Sequence, residues 1–215
     1  GSRIYLLSTA CDGQQPPRVA ITSIKEADFL KKQWNWAPSA LISPPDISDK
    51  DAFVFPEKVG GKWMIVHRIG DAIDFAFLSS LDFKGEDWIE ERRWIAPRKG
   101  WWDSKKVGTA TPPIKTADGW VMLYHGISDD GTYRVGAVLL DLADPTKVIG
   151  RLDAPLFEPV MPYETGGQVS RVVFPCGAAV SEKTLFVYYG GGDSVVGVAT
   201  IPIAKLVTAL KLCTC

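Results

Sequence analysis

The residues of this 215-residue chain best suited to chemistry stand where apolar runs end. His67-Arg68 closes one such run, Tyr124-His125 a second, and Tyr189-Gly190 a third. Unlike polar residues at equivalent points of a repeat indicate a ligand site, because a purely structural repeat would keep one residue type. The competing reading for each is a polar strand end in solvent. Lys50-Asp51 stands just ahead of Phe53-Val54-Phe55-Pro56, and Asp103-Ser104-Lys105-Lys106 takes the same place before the next copy. Lys50, Arg68 and Lys106 are therefore candidates to converge, against the alternative of ordinary surface cations. Three cations around one cleft suit a dianion such as phosphate. No metal site is expected: there are only two histidines, no H-E-x-x-H and no cysteine cluster of zinc spacing. G-x-S-x-G and G-x-x-x-x-G-K are absent, and Gly190-Gly191-Gly192-Asp193 reads as a tight loop.

Composition narrows the partners. Lys plus Arg is 24 and Asp plus Glu is 25, a net charge of -1, which argues against a broad nucleic-acid surface. No apolar run approaches the roughly 20 residues of a membrane span, and Gly1-Ser2-Arg3 opens no signal-peptide core. Of the four cysteines, Cys11 and Cys176 adjoin apolar runs and are expected to pack as small hydrophobes. Cys213-Thr214-Cys215 reads as a frayed end. Without a disulfide framework the expected compartment is reducing, the cytoplasm.

These residues must be held by strands. Strand-like runs cover 4–10, 18–23, 62–67, 73–78, 120–125, 133–140, 185–189 and 195–201, separated by turns such as Asp12-Gly13, Gly60-Gly61, Asp118-Gly119 and Asp130-Gly131. Helical spacing is clear only where Ile203, Leu206, Val207 and Leu210 follow Pro202, with a second short helix possible over 26–32. The chain reads as all-β. Runs such as Trp63-Met64-Ile65-Val66 and Trp120-Val121-Met122-Leu123 are apolar on both faces, yet no crossover helices separate them. Antiparallel sheets stacked face to face remain. Trp63, Trp120 and Leu185 anchor three copies of one hairpin pattern, and Tyr5 fits a truncated fourth. One sheet per copy is a propeller blade, with a β-sandwich as the alternative. Residues 1–215 then form a single incomplete propeller domain of about three and a half blades with a short C-terminal helix. Its open edge is a liability that a homo-oligomer would cover.

Taken in order, Lys50 to Lys58, His67-Arg68, Gly100-Trp101-Trp102-Asp103 to Gly108, Gly119 to Gly126, Tyr133 to Ala137, Val173-Phe174-Pro175-Cys176-Gly177 and Tyr188 to Asp193 carry a resemblance. The chain resembles glycoside hydrolase family 130, the β-mannoside phosphorylases and related β-mannosidases. The resemblance implies a five-bladed propeller. It also implies cleavage of a β-mannosidic bond by inorganic phosphate, with inversion to α-mannose 1-phosphate. An inverting hydrolase needs an acid and a distant base. Phosphate is already a nucleophile, so cations that position it can replace the base. Lys50, Arg68 and Lys106 match the family's phosphate contacts, the first often being Arg elsewhere. Asp51, Asp103, His125, Tyr133, Phe174 and Asp193 match positions lining the substrate. No cofactor is implied beyond phosphate as co-substrate, and the partner is a small carbohydrate. The family's general acid is the Asp of a Glu-Asp-Pro-Arg motif, which these 215 residues do not contain. The resemblance places it before residue 1. Two alternatives stand beside phosphorolysis: an inverting β-mannosidase of the same family, and a non-catalytic carbohydrate-binding fragment.

Overall fold

The computed structural model describes residues 2–83 and 88–213. The chain divides into two compact units, Gly1–Trp94 and Ile95–Cys215. In the first, β1 (Arg3–Ala10), β2 (Arg18–Lys25) and β3 (Ala40–Leu41) form one antiparallel sheet. The short helix α1 (Glu26–Leu30) follows β2 without a side-chain cap. β4 (Asp49–Val54), β5 (Trp63–Ile69), β6 (Ala72–Leu78) and β7 (Arg93–Ile95) form the second sheet, the boundary between the units falling at its last strand. Val19, Ile21 and Ile42 pack against Ile65 and Ala76, so the two sheets meet face to face over a shared apolar cluster. Side chains alternate along a strand. Asp49, His67 and Asp74 therefore share the face of Ile65 and Ala76, and all three are buried.

The second unit is built on β10 (Trp120–Ile127), buried along all eight residues. It pairs with β11 (Tyr133–Leu140) on one side, and β12 (Val148–Arg151) follows beyond β11. On the other side lie both β8 (Lys106–Thr109) and β9 (Ile114–Lys115). Pro112 and Pro113 between them lack the N–H a ladder needs, which splits one strand into two. α2 (Pro162–Thr165), which the sequence pattern did not suggest, precedes the sheet of β13 (Val173–Ser181), β14 (Thr184–Gly191) and β15 (Val195–Pro202). The terminal helix α3 (Ile203–Leu212) lies where the spacing predicts it. It buries Leu206, Val207 and Leu210 against Val121, Leu123, Leu139, Leu185 and Val187.

The hairpin repeat is real as β4–β5, β9–β10 and β13–β14, and every paired ladder is antiparallel. Among the described residues the four sheets have three, four, five and three strands rather than four each. The cysteines also differ from expectation. Cys11, just past the end of β1, and Cys176 are exposed. Cys176 is the extra residue where the β13–β14 register skips from Pro175 to Gly177, which takes it out of the ladder. Among the described residues no helix is long and apolar enough to cross a membrane.

Two expectations follow for stability. Trp102 stacks on Tyr124, with ring centroids 5.7 Å apart, across a surface left open by glycine. A Cβ at Gly136 would lie 2.5 Å from the Trp102 ring and 2.6 Å from that of Tyr124. Gly136→Ala should therefore cost about 1–3 kcal/mol by overpacking, read from urea unfolding. Asp74 is pushed above the ordinary carboxylate range, first by burial, against an opposing hydrogen bond from the Ile69 N–H and the charge of His67. An acid with a raised folded pKa holds its proton more tightly when folded. Its contribution is thus full below the unfolded value and is lost as pH rises through the folded one. Asp74→Asn should raise unfolding free energy at pH 7 by about 1 kcal/mol, and the gain should vanish in acid.

Candidate functional site

In the first unit, β4 and β5 bring Lys50, Asp51 and Arg68 together. Lys50 lies directly opposite Arg68. Asp51 sits in a break of the ladder with a left-handed φ of 53°. Its carboxylate accepts from Arg68 Nε, while Arg68 Nη1 donates to the Gly70 carbonyl at 2.9 Å. Arg68 Nη2 takes part in neither bond. The two side chains are mostly buried, at 11% and 16% exposure, so their attraction is screened less than that of a surface pair. Lys50 is half-buried beside them. The result is an edge carrying two cations, with the Asp51 carboxylate bonded to Arg68.

Behind it, on the core face, His67 Nδ1 lies 3.0 Å from each oxygen of the Asp49 carboxylate, and both side chains are fully enclosed. The sequence singles out His67 only as part of the polar pair His67-Arg68, and Asp49 not at all. The signal available was His67-Arg68 itself, a polar pair ending an apolar run.

In the second unit, β10, β11 and β13 assemble an aromatic cluster from three of the predicted residues. His125 lies 4.5 Å from Phe174 and 6.0 Å from Tyr133, ring centroid to centroid, and Tyr133 and Phe174 are 6.3 Å apart. The Tyr133 N–H donates to the Arg171 carbonyl at 3.0 Å, which ties the start of β11 to the segment leading into β13. His125 is buried while Tyr133 and Phe174 are half-buried, so the latter two keep part of their surface in solvent. Partly exposed rings beside polar groups are the usual surface for the apolar face of a sugar. Lys106 begins β8, opposite Ile127, and is half-buried. Asp193 is exposed at the turn between β14 and β15, with a φ of 51° that its short polar side chain tolerates.

Asp103 departs from the expectation that it binds substrate. Its carboxylate is enclosed and accepts from Tyr124 Oη at 2.8 Å, Arg151 Nη2 at 2.7 Å and the Arg98 fork at 3.0–3.1 Å. A buried charge has to be compensated by such partners, which makes Asp103 a brace beneath β10. Burial first, with the Asp103 charge adding, pushes the Tyr124 hydroxyl far above its ordinary value and keeps it a donor.

The same logic reveals Glu164, which sequence reasoning missed. This buried carboxylate accepts from the Val160 and Met161 N–H groups at 2.8 and 2.9 Å, and from Tyr189 Oη at 2.6 Å. Burial opposes its ionisation, but the bonds from Met161, Tyr189 and Val160 outweigh it and lower its pKa. Tyr189 is raised by burial and then by Glu164. Nothing in the local sequence distinguishes Glu164 from a surface acid. A cleft of about 480 Å³ opens between Trp101, Ser128, Arg134 and Glu158, lined by neither His125 nor Phe174.

Residues 1–212 match the family described as beta-1,4-mannooligosaccharide phosphorylase. The chain is 46% identical over 161 residues to the 1,2-beta-oligomannan phosphorylase of Thermoanaerobacter sp. strain X514, covering 75% of this chain and 53% of that protein. It is 37% identical to the beta-1,2-mannobiose phosphorylase of the same strain, over 95% of this chain and 65% of that one. Its fold superposes on the Listeria innocua beta-1,2-mannobiose phosphorylase, solved with beta-1,2-mannobiose, with a TM-score of 0.84 at 33% identity. That match covers 99% of this chain and 58% of the Listeria chain. The chain thus spans between about half and two thirds of the length of these relatives. A family match along residues 1–212, together with these relatives, makes this chain a member of glycoside hydrolase family 130.

Proposed function

We propose that this chain serves the phosphorolysis of β-mannosides, with β-1,2-linked mannosides as the substrate class and inorganic phosphate as co-substrate. The linkage rests on the Thermoanaerobacter and Listeria relatives, which are named for 1,2-beta-oligomannan and beta-1,2-mannobiose. The observation that carries phosphorolysis over hydrolysis is the Arg68–Asp51 pair beside Lys50. A hydrolase needs a carboxylate left available to activate water. Here the carboxylate is occupied and cations dominate the edge, which favours an anionic nucleophile. In the reaction a phosphate oxygen bonds to the anomeric carbon as the glycosidic C–O bond breaks, with inversion. The leaving oxygen takes a proton from a general acid. By family resemblance Lys50, Arg68 and Lys106 match the phosphate contacts, and His125, Tyr133 and Phe174 match positions lining the sugar. The stacked antiparallel sheets are read as propeller blades on the strength of the hairpin repeat.

Two experiments test this reading. Arg68→Ala should weaken binding of inorganic phosphate about tenfold, the scale of a lost charge-assisted contact, whereas Lys32→Ala should leave it unchanged. Calorimetric titration reads both, and equal effects would sink the anion site. The second concerns turnover. A positioned general acid is typically worth about 10²–10⁴ in rate, and no Glu-Asp-Pro-Arg occurs in the sequence. The 215-residue chain should therefore bind mannobiose without releasing mannose 1-phosphate above a trace. Robust phosphate-dependent release would overturn that and point to another carboxylate as the acid.

A further inference from the structure

β4 and β5 run out of step at one place. Lys50 faces Arg68 and Phe53 faces Val66, so Asp51 and Ala52 together oppose the single residue His67. Two residues against one is a β-bulge, a device that re-aims a side chain and is enriched beside active sites. Asp51 carries the left-handed φ of 53° that the bulge demands, a conformation that an L residue keeps only when its surroundings hold it. The carboxylate delivered this way is the one bound to Arg68 Nε.

What holds the bulge lies on the opposite side of the sheet. His67 is the residue the two bulged positions face, and its Nδ1 is bonded to Asp49, which sits two residues before Asp51 on the same strand. The bond therefore ties β4, ahead of the bulge, to the apex of the bulge on β5. Both side chains are fully buried, so water does not compete for it. Among the described residues His67 Nε2 has no hydrogen-bond partner, which leaves Asp49 as the group that orients the ring. A one-residue slip of β4 would reverse its faces and take Asp51 away from Arg68.

We infer that Asp49 and His67 are positioning residues, whose buried bond fixes the bulge and through it sets the Arg68 guanidinium against Asp51 for anion binding. The anion part rests on the reading of Arg68 proposed above. The placement of Arg68 does not.

The test compares His67→Asn with His67→Gln in the 215-residue chain. The Asn amide nitrogen stands the same number of bonds from Cα as Nδ1 and can still donate to Asp49. Gln carries the same amide one bond further out and misses it. A role limited to filling a buried polar position would treat the two alike. Two readouts apply: solvent exchange of the Arg68 Nε–H by NMR, and titration with inorganic phosphate. Wild type and His67→Asn should both protect the Arg68 Nε–H, and their phosphate affinities should agree within about twofold. His67→Gln should lose the protection and bind phosphate about tenfold more weakly, since small displacements of a positioning group are costly. Equal Nε–H protection in the two variants overturns the inference. If His67→Gln does not fold, Asp49→Asn takes its place, since it removes the charge at constant volume. Faster Nε–H exchange there supports the inference and unchanged exchange overturns it. A wild-type chain that binds no phosphate but shows the expected exchange pattern would defeat the reading of the site while supporting the positioning role.

Discussion

A strand that is apolar on both faces has to be covered on both, and in the second unit β10 imposes that demand on everything around it. All eight of its residues are buried. One face is closed by Leu185 and Val187 of β14 and by the amphipathic side of α3. On the other face Trp102 covers Tyr124, which it reaches because Gly126 and Gly136 leave room for its ring. That second cover brings the polar end of Tyr124 into the interior. Asp103, Arg98 and Arg151 are there to satisfy it. Four polar groups bonded among themselves are tolerable in a core where one alone would be costly.

With β10 fixed, its ends can carry chemistry. His125 is near the end of a fully buried strand, and its ring packs against both Tyr133 and Phe174, the three rings forming a triangle. The β10–β11 ladder stays in register throughout. The β13–β14 ladder skips a residue at Cys176, immediately after Phe174 and Pro175. In the first unit the irregularity also lies beside the candidate residues, at Asp51 and Ala52. In both units the regular part of the sheet supplies rigidity, and the break in the ladder chooses which side chains leave it.

Much of this was legible in the residues themselves. Alternation and turn chemistry located the strands named in advance, and Pro202 with its i, i+3, i+4 spacing located α3, because backbone preference and apolar periodicity are local properties. The equivalence of His67-Arg68 with Tyr124-His125 was also visible, since a repeat can be read without knowing what its copies touch. The partners were not visible. Asp103 and Asp51 look alike in sequence, each next to a lysine-bearing strand start, yet one is enclosed by two arginines and a tyrosine while the other sits in a bulge against Arg68. The enclosure of Glu164 and the exposure of Cys176 depend on register and on which sheet lies behind, quantities set by contacts between residues far apart in the chain. Residue type and spacing determined which groups could do chemistry. Only tertiary packing decided which carboxylates are spent on structure, because the cost of burying a charge depends on neighbours the sequence does not list.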